Sequence, residues 1–596
     1  MCAATLSATS ATGDTAIEPG GKAGFGRTAA RGFYFLDRAR NSRERVEVRQ
    51  GMPRYELGIV RRQLHRPVRE NGGGAGGHEI RHRHRLRHRC PEAHLAQALA
   101  QPAPTMPADA VSSPNFTGLA TRVARASAVY GLANFGIRAL NFLLLPVYTR
   151  YLSPVDYGTM AMAETVASIL LPVFGLGVDG SIQRLYFQYV EDPNELQRFV
   201  SSVLKFMLAL EVVVVLLTLT IGSPLLHYLA PGFAVPFRYI IWTIATAAAM
   251  QFVQYRLILF QAERRPRAFA ALSFFAFVLT ASITLILIAL AHRGAAGMLV
   301  GKLSAALAVF AIAIYFARSA FRTQFDWYKI RETLSMGVML VPHQLMAIGL
   351  IAGDRFILQH YRDLREIGLY AIAYTFGMIM SLVTLSLNQA WMPVYYDLAR
   401  SDEGQRRLGR ICSELFIGMA AVACFGALIA QDFIARFLNE RYVTAGRVVP
   451  WIIGAYLAHA MFSIFCLAVL QGKRTQWLML VSFVALSVNI ALNFALIPGW
   501  GMYGAAYATA AAYVVEATVM YFVAQRAYRL NYDLARMAAA GCIFVAALIV
   551  TQVPWAVHYR PVVMIIAGIT CLGLLSMLGL KRTVMLLVRR TGELRP

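Results

Sequence analysis

The sequence predicts an all-α polytopic membrane protein of about 14 transmembrane helices, and three observations predict it. About fourteen apolar stretches of some 17–25 residues fill the chain from Arg125 to Leu580, each long enough to cross a hydrocarbon core of roughly 30 Å as a helix. The 596 residues are 57% hydrophobic and 15% charged, with a mean hydropathy of +0.51; a soluble chain carries about a quarter charged residues. Connections between the stretches stay under roughly 20 residues, which leaves no room for a soluble catalytic domain.

In order, the expected spans are Ala126–Thr149, Tyr157–Asp179, Val200–Ile221, Phe237–Leu259, Ala268–Ala291, Ala295–Ala317, Thr333–Gly353 and Ile367–Asn388. Ile411–Gln431, Val448–Leu470, Trp477–Ile497, Met502–Val523, Met537–Val553 and Val562–Leu580 complete the set. Lys and Arg number about 25 in the connections on the side of the termini and about 9 on the other, which directs both termini to the cytoplasm. Asp354–Glu366 and Asp432–Gly446 read as outer loops, with three Arg each partly offset by acids.

Residues 1–105 differ from the rest. They are Arg-rich, contain Gly-Gly-Gly-Ala-Gly-Gly at 72–77 and Arg-His-Arg-His-Arg-Leu-Arg-His-Arg at 81–89, and hold no span. This composition reads as a disordered basic extension, or as sequence upstream of a true start at Met106. The net charge of +25 is concentrated there and in the short connections, so it points to membrane orientation and not to nucleic acid. No CxxC spacing suggests a metal or a redox centre, and no cofactor is expected. Cys412, Cys424, Cys466, Cys542 and Cys571 read as small buried hydrophobes.

The two halves resemble each other at an offset of about 210 residues. Gly158/Gly368, Ala161/Ala371, Ala163/Ala373 and Thr165/Thr375 are identical, and Tyr151/Tyr361, Tyr186/Tyr396 and Gln261/Gln471 keep the same spacing. Six helices separate the copies, so the repeat is parallel. The expected organisation is a first lobe at 106–332, a second lobe at 333–530, and two further helices with a tail at 531–596. Two like lobes with a cleft between them suit alternating access, which makes the chain a transporter and not an enzyme.

Charged side chains at mid-membrane cost about 2.5–3.5 kcal/mol on the lenient scale and normally face a cavity. Ser127, Asn134, Arg138 and Asn141 form one polar stripe on the first helix. Arg138 lies near mid-depth and offers a planar donor fork for an anion; an ion pair with Glu164 or Glu211 is the rival reading. Lys302 is a second candidate cation, while Arg256 and Lys205 read as snorkelling near helix ends. Glu164, Glu211 and Glu516 are candidates for proton or sodium coupling. Asn489 and Asn493 line a path for sugar hydroxyls or hold helices together. His343 and His459 read as interhelical hydrogen-bonders. Arg138 would correspond to Ile348, so the cationic character is expected mainly in the first lobe.

Leu-Pro-Val-Tyr-Thr-Arg-Tyr-Leu-Ser-Pro-Val-Asp-Tyr-Gly at 145–158 resembles the first-loop signature of bacterial polysaccharide-unit flippases, of the multidrug/oligosaccharidyl-lipid/polysaccharide exporter superfamily. Gly-Asp-Arg-Phe-Ile-Leu at 353–358, Gly-Leu-Tyr-Ala-Ile-Ala-Tyr at 368–374 and Gln-Ala-Trp-Met-Pro-Val-Tyr-Tyr at 389–396 resemble second-lobe counterparts. The resemblance, from roughly Ala120 to the end, implies two six-helix bundles around a V-shaped cavity in the inner membrane. It implies a polyprenyl-diphosphate-linked oligosaccharide as substrate, membrane lipid around it, and polysaccharide polymerase or assembly proteins as partners. A peptidoglycan-precursor flippase and a cation-coupled drug exporter are the alternatives; a glycosyltransferase or polymerase would need a large loop.

Overall fold

The computed structural model describes residues 136–580 except 138, 230, 231, 475 and 555–558. All of these belong to one compact unit, and no strand occurs among them. The basic extension, Ser127, Asn134 and Arg138 lie outside the described residues. Ten of the described helical stretches are long and apolar enough to cross a membrane. Their outer faces carry apolar side chains such as Val212, Leu216, Phe425 and Ile566 at half exposure or more, as expected where lipid is the solvent.

The helices of the first half are α1 Leu145–Tyr151, α2 Pro154–Gly175, α3 Val178–Tyr189, α4 Pro193–Leu229, α5 Phe237–Ala262, α6 Pro266–Ala289 and α7 Gly294–Ala317. The second half holds α8 Trp327–Gly337, α9 Val341–Ala352, α10 Asp354–Tyr361, α11 Leu364–Gly377, α12 Ile379–Leu398, α13 Asp402–Phe437, α14 Val449–Gln471 and α15 Gln476–Ala527. Two more follow, α16 Leu534–Gln552 and α17 Arg560–Leu575.

Several expected boundaries move, for local reasons. The second span ends at Gly175 because Leu176 and Gly177 turn left-handed (φ 44° and 66°), and Val178 then opens α3 with Asp179 in its first turn. A 3-10 turn at Val338–Leu340 breaks the seventh span ahead of Pro342, whose ring has no N–H and constrains the residue before it. The eleventh and twelfth spans run together as α15, broken at Gly501 (φ 53°). Neither charged outer loop is a loop throughout. Residues 354–361 are α10, and α13 extends to Phe437 before a 3-10 segment at Glu440–Arg447.

The halves meet where α2 packs along α11, one of the closest helix pairs in the molecule. A Cβ on Gly158 would stand 1.8 Å from the Leu364 carbonyl oxygen, and one on Gly368 would stand 1.9 Å from that of Pro154. The two contacts are reciprocal, and their residues are related by the 210-residue offset. Only hydrogen fits there, so the backbones touch. The same offset relates the N-caps. Ser153 and Asp156 form a capping box at the start of α2, and the Asp363 carboxylate accepts from the Glu366 N–H at the start of α11.

Each second acid also reaches across to another helix. Asp156 Oδ1 accepts from the Ala295 N–H at 3.0 Å, and Glu366 Oε1 accepts from the Met502 N–H at 2.6 Å. Those N–H groups open α7 and the second arm of α15, directly after Gly294 (φ 54°) and Gly501 (φ 53°). Each carboxylate thus satisfies a donor that no helix can satisfy for itself.

Replacing Gly158 or Gly368 by Ala is expected to force the α2–α11 crossing apart and destabilise the protein by about 1–3 kcal/mol. Thermal unfolding of the purified protein in detergent checks this. Gly541→Ala, at a site with nothing within 4 Å, should leave the unfolding temperature unchanged.

Candidate functional site

Beside this crossing lies a cavity of about 390 Å³, walled by α1, α2, α6 and α7 of the first half and α10, α11 and α12 of the second. Tyr157, Met160, Ala161 and Glu164 recur at three- and four-residue steps, so one face of α2 forms a wall. Thr280, Thr284, Thr375, Ser381 and Asn141 add hydroxyl and amide groups.

Three charged side chains line it: Glu164, Lys302 and Arg355. Lys302 Nζ lies 2.5 Å from Glu164 Oε1, and both side chains keep partial exposure (27% and 42%), so the pair faces open space. Arg355 Nη1 donates to Thr165 Oγ1 at 3.2 Å, with the guanidinium 5.3 Å from the Tyr374 ring centre. Its Nε is buried without a partner. Among the described residues, two cations stand against one anion in the lining.

Of the residues singled out in the sequence, Asn141, Glu164 and Lys302 come together here. Asn134 and Arg138 lie outside the described residues. Asn489 and Asn493 are corrected: neither lines this cavity. Both are fully buried one turn apart on α15, and Asn493 Nδ2 donates to Asn489 Oδ1 at 2.9 Å. Glu211 is buried on α4 with Oε1 unpartnered, away from the cavity. Glu516 is buried on α15 and lies 2.9 Å from His459 Nδ1 on α14. The three acids therefore occupy three separate places. Arg256 does not snorkel freely but pairs with Glu263 at 3.1 Å and stacks on Phe260. Lys205 donates to the Thr323 carbonyl. Cys542 is exposed, whereas Cys412, Cys424, Cys466 and Cys571 are buried.

Residues 123–399 match the family described as polysaccharide biosynthesis protein. This region contains every residue lining the cavity. Two proteins of Haemophilus influenzae are similar to the chain. One is "Lsg locus putative protein 1", 22% identical over 335 residues, 54% of this chain and 78% of the relative. The other is an uncharacterized membrane protein, 21% identical over 333 residues, 53% of this chain and 76% of the relative. Among solved structures, the lipid II flippase MurJ in its inward closed conformation matches with a TM-score of 0.54 at 15% identity, covering 77% of this chain and all of that one. The ten long apolar helices make the chain a multi-pass membrane protein, and its fold is similar to that of this flippase.

Sequence reasoning missed Arg355 and Asp354, because two adjacent charges made their segment read as an outer loop. The available signal was the apolar character of Phe356, Ile357 and Leu358 around them. The segment is helical, and among the described residues the cationic lining includes one residue from each half, Lys302 and Arg355. Asp354 is fully buried behind Arg355. Its Oδ2 accepts from the Tyr370 hydroxyl and lies 3.5 Å from Thr509 Oγ1, while Oδ1 has no partner. Tyr370 stacks edge-on to Tyr374, whose hydroxyl accepts from Tyr456 at 3.2 Å.

Tyr370→Phe removes the main donor to a carboxylate already short of partners. It is expected to cost about 1–3 kcal/mol, read as a lowered unfolding temperature in detergent, and Asp354→Asn in the same background should recover part of the loss.

Proposed function

We propose that the protein flips polyprenyl-diphosphate-linked oligosaccharide units from the cytoplasmic to the periplasmic leaflet of the inner membrane, by alternating access between its two halves. The observation that carries this reading is the cavity with Lys302 and Arg355 on opposite halves. A diphosphate spans two cations, and a guanidinium offers it paired donors. The hydroxyls of Thr280, Thr284, Thr375 and Ser381 and the Asn141 amide suit sugar hydroxyls. Arg138 stands one helical turn before Asn141 in the sequence, a spacing that sets both on one helix face, and it joins the proposed headgroup site. The Lys and Arg distribution supports cytoplasmic termini, and the family match supports a role in polysaccharide synthesis.

Glu164 is the proposed coupling group. An arriving anion competes with Glu164 for Lys302, so substrate binding and this ion pair exclude each other. Substrate and proton would then share one cavity.

Initial rates of flipping of a fluorescent lipid-linked oligosaccharide in proteoliposomes test these roles. Lys302→Gln and Arg355→Gln should each lower the rate about 10–100-fold, the loss of one hydrogen bond to a charged group, with Arg355→Lys intermediate. Arg138→Ala should abolish export while protein abundance stays unchanged. Wild-type rates in all three would remove the headgroup site. Glu164→Gln should retain downhill flipping but lose its response to an imposed pH gradient; a retained response assigns coupling elsewhere. The likeness to the lipid II flippase favours a second reading, a peptidoglycan precursor as cargo, which the same vesicles decide by comparing lipid II with the oligosaccharide unit.

A further inference from the structure

The halves also meet at the far end of α2. A Cβ on Gly177 (φ 66°) would stand 2.0 Å from the Gly337 carbonyl oxygen, and one on Gly337 would stand 2.5 Å from that of Leu176. Main chain again meets main chain, roughly 28 Å from the Gly158 crossing at 1.5 Å per residue. Met160, Ala161 and Glu164 of the charged cavity lie between the two crossings. The 210-residue offset would pair Gly177 with Leu387 and Gly337 with Ser127, so the repeat does not call for this contact. Polar groups fasten it. The Tyr189 hydroxyl donates to Glu332 Oε2, and Gln188 Nε2 donates to Glu332 Oε1 at 3.3 Å. Lys329, buried, pairs with Glu195 at 2.7 Å and stands 3.6 Å from the Tyr189 ring centre. The connection between the halves is stitched to α4 as well: the Thr323 carbonyl accepts from Lys205, and the Asp326 N–H donates to Ser202 Oγ at 2.8 Å. α8 thus packs on α3 and α4 of the first half, whereas α9, past the 3-10 turn, packs on α15 and α2.

We propose that α3 and α8 form a latch over the Gly177–Gly337 end of the charged cavity, and that Tyr189, Glu332 and Lys329 must let go before a headgroup can enter from that side. The inference rests on the alternating-access reading given under Proposed function, in which the Lys and Arg distribution turns this end to the cytoplasm. Both crossings are closed in this structure, and alternating access opens one while the other holds. The glycine contact has no side chains to interlock, so it parts without repacking a core. Gln188 is exposed and Glu332 half-buried, so their hydrogen bonds pass to water as the helices separate. Lys329 favours closure, because an ammonium buried between a carboxylate and a ring face is stable there only while both partners stay in place.

The test follows access and transport separately in the full-length protein. Ala281→Cys places a thiol in the charged cavity, with Cys2, Cys90 and Cys542 replaced by Ser, and a membrane-impermeant maleimide is added to inside-out membrane vesicles. Tyr189→Phe keeps the ring beside Lys329 and removes one hydrogen bond, so labelling should speed up about fivefold; an unchanged rate overturns the latch. Gln188→Cys with Glu332→Cys, bridged by a short reducible bis-methanethiosulfonate, should stop flipping of a lipid-linked oligosaccharide in proteoliposomes and regain it with dithiothreitol. Each single cysteine, treated alike, should keep its rate, which separates bridging from damage. A bridged protein that flips at the unbridged rate shows that α8 stays with the first half, and overturns the latch. If the wild type moves no lipid-linked oligosaccharide, the proposed function fails, and the labelling rates still decide the latch.

Discussion

The backbone contact between α2 and α11 is the constraint on which the rest of the structure depends. With no side chain at Gly158 or Gly368, each helix presses onto a carbonyl of the other, so the two halves meet main chain to main chain at this crossing. Lipid provides no hydrophobic push between helices, so close approach and satisfied polar groups hold such a bundle together. Asp156 and Glu366 sit at this crossing and cap α7 and the second arm of α15. The glycine pair therefore also fixes where two further helices begin, and α7 carries Lys302.

The charged cavity follows from that geometry. α2 presents Glu164 on the face adjoining α7, and α10 brings Arg355 to the same space from the other half. A lysine and an arginine side by side in an apolar bundle would be costly without compensation. Here Glu164 neutralises one, and the Tyr374 ring with the Thr165 hydroxyl supports the other. Behind Arg355, the buried Asp354 with its tyrosine and threonine partners anchors the start of α10.

The charged cavity and an apolar cavity share Phe142 and Ile379, so the chemistry of the lining changes across that partition. Tyr157, Lys302 and Arg355 line the one, and Phe425 lines the other.

The sequence by itself determined the fold class, because a helix is the structure that satisfies the backbone within each apolar stretch in lipid. It also determined the repeat: Gly158 and Gly368, read as identical residues at one offset, are the two residues that meet. That Asn141, Glu164 and Lys302 face a cavity was legible because an ionised or amide group at membrane depth is expensive elsewhere. Tertiary structure alone decided the rest. Whether Asp354 and Arg355 lie in a loop or a bundle depends on partners supplied by α2, α11 and α15, far away in the chain. Asn489 and Asn493 share a helix face with the right spacing for a lining, yet they pair with each other, since periodicity tells which residues point the same way but not what they point at. The apolar cavity could not be read at all. Its walls are ordinary apolar side chains of α12, α13 and α14, and a space between helices exists only once they are packed.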